Sequence, residues 1–203
     1  MSTFTTGDHI RVKRFLYAHH GIFVDELRVI DFSGGHSIRE KPDALVQART
    51  LKDFEGRCGV AKKIEHPQQI FGGLGAWPER EYQPEEVVRR AEALCEVAAT
   101  KGAYRLSGSN CEHIANWCKC GAPDSKQVRH IYAWQAGISL AILLGLPHLQ
   151  SRWKPIIWGL TGASALVTIY MQYEAWKTPS RWRPIIAEAE SALERTHEKP
   201  NEL

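Results

Sequence analysis

Two stretches near the carboxy terminus contain no Asp, Glu, Lys or Arg: His130 to Ser151, and Pro155 to Tyr173. Only Arg152-Trp153-Lys154 separates them. Such runs have to be covered by protein or taken up by lipid, so the chain divides into regions with different surroundings. A helix needs about 20 apolar residues to cross ~30 Å of hydrocarbon. Pro155–Tyr173 nearly reaches that length, and Trp134–Pro147 reaches it only with its flanks. Gly137, Ser139, Gly145, Gly159, Gly162 and Ser164 suit two helices packed closely in lipid. Trp134, Trp153, Trp158, Trp176 and Trp182 lie mostly near the ends, as an interfacial aromatic belt would. The expectation is a hydrophobic helical hairpin over residues 122–176. It would be a membrane anchor that spans twice or dips in and returns. The alternative is a soluble helical pair packed on the rest of the chain.

Composition bounds the remainder. The 203 residues are 43% hydrophobic and 24% charged, which argues against a disordered or fibrous chain. A net charge of +3 is too small to imply nucleic acid as a partner. A mean hydropathy of −0.34 excludes a polytopic membrane protein. Residues 1–121 read as an α+β domain. His9–Lys13 alternates as a strand does, and Gly21–Val24 and Arg28–Phe32 form a hairpin about Asp25–Glu26. Pro84–Lys101 reads as a helix stopped by Gly102, and Gly72, Gly73 and Gly75 mark a loop. Residues 177–203 form a charged tail, in which Pro184–Glu198 can make a helix with Ile185, Ile186, Ala189 and Leu193 on one face. The opening MSTFTTGDHIRVKRFL has no apolar signal region. Five cysteines, Cys58, Cys95, Cys111, Cys118 and Cys120, are an odd set. Together these favour a reducing compartment over a disulfide scaffold.

The densest chemistry lies in Ser109-Asn110-Cys111-Glu112-His113-Ile114-Ala115-Asn116-Trp117-Cys118. Asn110 is a good N-cap for a helix ending near Gly121, which puts Cys111 in the first turn. There the unpaired N–H groups and the helix dipole favour a thiolate. A nucleophile also needs an imidazole to take its proton. Spacing alone leaves Cys111 equally readable as a small buried hydrophobe. His19-His20 opens a strand, and period 2 sends the two side chains to opposite faces, so only one can face a shared site. Cys111, His113, Cys118 and Cys120 lack the paired spacing of a zinc site.

Taken together, Gly7-Asp8-His9-Ile10, His19-His20-Gly21-Ile22-Phe23-Val24, Arg28-Val29-Ile30-Asp31-Phe32 and Tyr104-Arg105-Leu106 leading to Asn110-Cys111-Glu112-His113 resemble the lecithin:retinol acyltransferase family. This is a family of NlpC-type permuted papain-like thiol enzymes. The resemblance covers roughly Gly7 to Gly121. It implies a small antiparallel sheet packed on helices, with the histidine strand ahead of the cysteine helix. It implies Cys111 as nucleophile and His19 as general base and acid. His20 falls on a neighbouring aromatic position, and His20 and Tyr17 are expected at the substrate. Where the family usually has a second histidine, this chain has Asp31. A carboxylate there can accept a hydrogen bond from the base imidazole and fix its orientation. His36 is the other candidate for that role. Glu112 and His113 are read as supporting the fold around Cys111.

The resemblance further implies acyl transfer from glycerophospholipids through a Cys111 thioester to water, an alcohol or an amine. It needs no cofactor and no metal. The catalytic domain is expected on the cytoplasmic face of a membrane. The alternatives are an amide hydrolase on the same scaffold, or a membrane-binding protein with a degenerate site and an ordinary thiol.

Overall fold

The computed structural model describes residues 4–15, 17–33, 44–57, 59–66, 82–97, 104, 109–123, 125–145 and 151–197. Cys58, His36, the Gly72–Gly75 loop and residues 98–103 lie outside these. The architecture is α+β. Strands β1 (Asp8–Lys13), β2 (Ala18–Asp25), β3 (Arg28–Ser33), β4 (Leu45–Arg49) and β5 (Ala61–Lys63) form one antiparallel sheet in the order β4-β3-β2-β1-β5. The helices are α1 (Leu51–Glu55), α2 (Pro84–Glu96), α3 (Cys111–Cys120), α4 (Lys126–Gly145) and α5 (Lys154–His197).

The period of two in the strands sorts side chains into two cores. Ile22, Ile30 and Phe32 join Leu94 of α2 and Trp117 of α3 in one cluster. Ile10, Val12, Phe23 and Val29 join Phe54 of α1 in the other. Gly21 lies where the sheet meets Phe54: a Cβ there would come within 3.0 Å of both the Phe54 ring and Val29. The expected hairpin is β2–β3, but its strands are longer than its apolar core. Asp25 stays in β2, the turn falls on Glu26 and Leu27, and Asp25 Oδ1 accepts from Leu27 N at 2.8 Å. The helix expected to reach Lys101 stops at Glu96, because buried Val97 turns extended (φ −79°, ψ 110°).

Helix α5 corrects two expectations. It is 44 residues long, about 66 Å at the usual rise, and passes the 176/177 boundary without a break. Its first part packs against α4, where Gln135 Nε2 donates to Ser164 Oγ at 2.7 Å and the Ser139 and Ser164 hydroxyls lie 2.6 Å apart. Its last part covers α2, burying Trp182, Ile185, Ala189 and Ala192. Trp182 is therefore a core residue and not part of an interfacial belt.

The second correction concerns transmembrane spans. Among the described residues no helix is long and apolar enough to cross a membrane. Glycines, serines and threonines dilute the Pro155–Tyr173 run, and the helix continues into charged turns at Arg183 and Glu188. What remains is an exposed apolar surface: Trp134, Leu144, Trp158, Leu166 and Ile169 are each at least 60% exposed.

These two environments along one helix predict opposite mutational responses. Ile185→Ala should lower unfolding stability by about 2–5 kcal/mol, and Leu166→Ala should change it by less than about 0.5 kcal/mol, both measured by urea titration. Equal effects would contradict the packing described for α5.

Candidate active site

Helix α3 begins at Cys111 because Asn110 caps it. Asn110 is extended (φ −110°, ψ −179°), and its Oδ1 accepts from Glu112 N at 2.9 Å and His113 N at 3.3 Å. His113 closes the capping box, its Nδ1 accepting from Asn110 N at 3.3 Å. The indole of Trp182 stacks on His113 with centroids 6.1 Å apart and planes at 21°. The helix ends on Gly121, whose φ of +79° suits glycine. Cys111 is thus fixed in a first turn, buried, with its Sγ 3.9 Å from the carbonyl oxygen of Ala18.

His19 sits on β2 and Asp31 on β3, both buried, with His19 Nε2 2.9 Å from Asp31 Oδ2. That contact occupies Nε2, and Cys111 bears electrostatically on the same imidazole. Asp31 is held from two further sides. Ser33 Oγ donates to its Oδ1 at 2.7 Å. Arg49 Nε lies 2.9 Å from Oδ2, at ion-pair distance but too oblique to count as a hydrogen bond. The Arg49 guanidinium also donates to Ser33 Oγ. Phe54 packs against the His19 ring at 5.1 Å. Burial works against a charge on His19, but the electrostatic pull of Cys111 and the hydrogen bond to Asp31 outweigh it. They push the imidazole up to about 9.

Two tyrosines border the sulfur. Burial first, and then the Cys111 charge, raise both phenols above their usual range, so each stays protonated. Cys111 bears electrostatically on the Tyr104 hydroxyl, and the Tyr104 ring meets Phe32 edge-on at 5.0 Å. Sequence reasoning gives Tyr104 no role, since no periodicity marks which way an isolated tyrosine ahead of a helix cap points. Tyr17, expected at the substrate, is half-buried beside the sulfur.

His20 turns the other way. Its Nδ1 lies 2.8 Å from His9 Nε2, and His9 Nδ1 lies 2.9 Å from His66 Nε2. Burial pushes His20 down to about 4 despite the nearby Glu112 carboxylate. His20 lines a cavity of about 350 Å³ with His9, Arg11, Glu112, Asn116 and Gln127. The structure therefore does not bring it to the Cys111–His19 pair, because the strand's alternation turns it to the opposite face. Cys118 points into the core, where burial raises its thiol, and Cys120 Sγ donates to Asn116 O at 3.0 Å. Among the described residues no group of three His, Cys, Asp or Glu side chains could hold a metal ion.

The geometry predicts a pH dependence of stability. A group whose pKa is raised on folding contributes fully below its unfolded value and loses that contribution as pH rises through the folded one. For His19 the window runs from about 6.5 to about 9. His19 alone would lose up to about 3 kcal/mol of its contribution across it. A proton given up by a Cys111 thiolate on folding offsets the proton that His19 gains. Urea midpoints of the wild type should therefore stay nearly level from about pH 6.5 to about 8.5. A loss of about 1–3 kcal/mol there would show a Cys111 that stays a thiol.

Residues 2–124 match the family model described as lecithin retinol acyltransferase. Lecithin retinol acyltransferase of Bos taurus is 25% identical over 87% of this chain and 81% of its own length. Phospholipase A and acyltransferase 3 of Mus musculus is 30% identical over 68% of this chain and 85% of its own. Phospholipase A and acyltransferase 2 of Homo sapiens is 29% identical over 60% of this chain and 74% of its own. The family model spans more than half of the chain and takes in Cys111, His19 and Asp31, so the chain belongs to the lecithin retinol acyltransferase family.

Proposed function

We propose that this chain is a cysteine-dependent acyltransferase or phospholipase A-type enzyme that takes acyl groups from glycerophospholipids. The observation that carries the reading is the buried Cys111–His19–Asp31 arrangement, with the sulfur at a capped helix start. The names of its relatives point to the same donor and reaction class. A histidine strand that precedes a cysteine helix is also the order of a permuted papain-like enzyme, and we read the domain that way.

In the first half-reaction the Cys111 thiolate attacks the ester carbonyl carbon. The oxygen that becomes negative is met by the backbone N–H of Cys111, which is free of helix bonding in the first turn. As the tetrahedral intermediate collapses, the C–O bond breaks and the His19 imidazolium protonates the leaving alkoxide. The acyl group is now a thioester on Cys111, and His19 is neutral. In the second half-reaction His19 accepts a proton from water, an alcohol or an amine as that acceptor attacks the thioester. The C–S bond then breaks, and the thiolate–imidazolium pair is restored. Asp31 keeps the imidazole oriented and favours its charged form.

The substrate lies in a lipid surface, and the exposed apolar faces of α4 and α5 suit docking at such a surface. A helical pair lying in the interface would keep the catalytic domain at the headgroups. A reducing cytosol suits the free thiols of Cys95, Cys111, Cys118 and Cys120, so we place the domain on that side.

The test is mass spectrometry of the purified protein incubated with phosphatidylcholine vesicles. The wild type should release or transfer fatty acid and carry an acyl mass on the Cys111 peptide. Cys111→Ala should lose at least about 10³-fold in rate and the mass shift together. Leu166→Glu should slow the reaction on vesicles and spare a soluble short-chain ester. Undiminished lipid cleavage by Cys111→Ala would overturn the mechanism.

A further inference from the structure

Gln127, in the first turn of α4, joins the two halves of the catalytic pair. Its side chain makes two hydrogen bonds to one residue of β2: Ala18 N donates to its Oε1 at 2.7 Å, and its Nε2 donates to Ala18 O at 3.0 Å. Its backbone N donates to Glu112 Oε2 at 3.0 Å. The same carboxylate oxygen accepts from Ser125 Oγ at 2.6 Å, and Asn110 Nδ2 lies 3.5 Å from that hydroxyl. Ala18 immediately precedes His19, and Glu112 immediately follows Cys111. One residue therefore ties the strand of the base to the helix of the nucleophile.

The tie stands where the sheet provides none. On the β3 side, β2 is paired from Gly21 onward, so the Ala18 peptide has no strand neighbour there among the described residues. The Gln127 amide supplies the donor and acceptor that such a neighbour would offer. It also bears on the sulfur. The Ala18 carbonyl that accepts from Gln127 Nε2 is the one facing Cys111 Sγ at 3.9 Å. A carbonyl oxygen aimed at sulfur favours S–H over S⁻ by its negative partial charge, and an amide N–H bound to it offsets that charge. The titratable groups around the sulfur are His19 of β2, Asp31 of β3 with Arg49 of β4 behind it, Tyr17 and Tyr104. None of these is on α4.

We propose that Gln127 is a positioning residue for acyl transfer: it sets the His19 strand against the Cys111 helix and keeps the Ala18 carbonyl occupied, leaving the thiolate to His19. The role rests on the thiol mechanism proposed above. It also makes the start of α4 part of the active-site framework.

The test uses the full chain and two variants. Gln127→Met keeps the bulk and removes both side-chain bonds to Ala18. Gln127→Glu keeps the acceptor for Ala18 N–H and loses the donor to Ala18 O. Iodoacetamide labelling of Cys111 is followed by peptide mass spectrometry as a function of pH, with kcat and KM on phosphatidylcholine vesicles alongside. Both variants should label about tenfold more slowly near pH 6, with the profile displaced to higher pH. Their kcat should fall by a similar factor with KM unchanged. Circular dichroism checks the fold, and should Gln127→Met unfold, Gln127→Glu carries the test. A folded variant with the wild-type labelling profile and kcat overturns the role of Gln127 alone. A wild-type Cys111 that labels like an ordinary thiol overturns the thiol mechanism, and the role of Gln127 with it.

Discussion

A histidine buried in protein holds a proton only if neighbouring negative charge outweighs the loss of water. In this chain that balance is struck at His19, between the Asp31 carboxylate and the Cys111 sulfur. Much of the surrounding structure serves it. The pairing of β2 with β3 sets Asp31 opposite Gly21 and within reach of His19, and β4 brings Arg49 to the far side of the same carboxylate. The carboxylate is thereby paired and hydrogen-bonded on both oxygens, the condition under which a buried charge is tolerated. Helix α3, capped by Asn110, delivers the sulfur to the same place from the other side of the chain.

The carboxy-terminal helices belong to this framework as much as to any lipid surface. Helix α4 begins at the Ser125–Glu112–Gln127 hydrogen bonds, one residue from Cys111. Helix α5 ends by burying Trp182 on His113, the residue that closes the cap of α3. Between those anchored ends the two helices carry their apolar faces outward. On the proposed reading, the two helices that would meet a lipid surface also hold together the elements of Cys111 and His19.

What could be read in the sequence divides by range. The Asn110 cap, the first-turn position of Cys111, the Gly121 stop and the β2–β3 hairpin are local chemistry and stand as read. The pairing of His19 with Asp31 came from a resemblance, because period 2 shows which residues share a face but not which strands adjoin. Tyr104, Arg49 and Gln127 were not legible. Each acts through contacts to residues on other elements, and no periodicity announces such contacts. The face of Ile185, Ile186, Ala189 and Leu193 was legible as amphipathic, but its partner, α2, was not. The uncharged stretches showed that ordinary solvation was absent. They did not show that small and polar residues would leave the helices too weakly apolar to cross a bilayer.

His19 is expected to carry a proton at neutral pH because Cys111 and Asp31 hold it there. Nitrogen-15 NMR of the histidine side chains, followed from pH 5 to pH 10, reads this directly. One imidazole should remain protonated through neutrality and titrate near about 9, and in Cys111→Ala the same resonance should titrate markedly lower. If His19 titrates near its ordinary value of about 6.5 with Cys111 intact, the ion pair does not exist and the account is wrong.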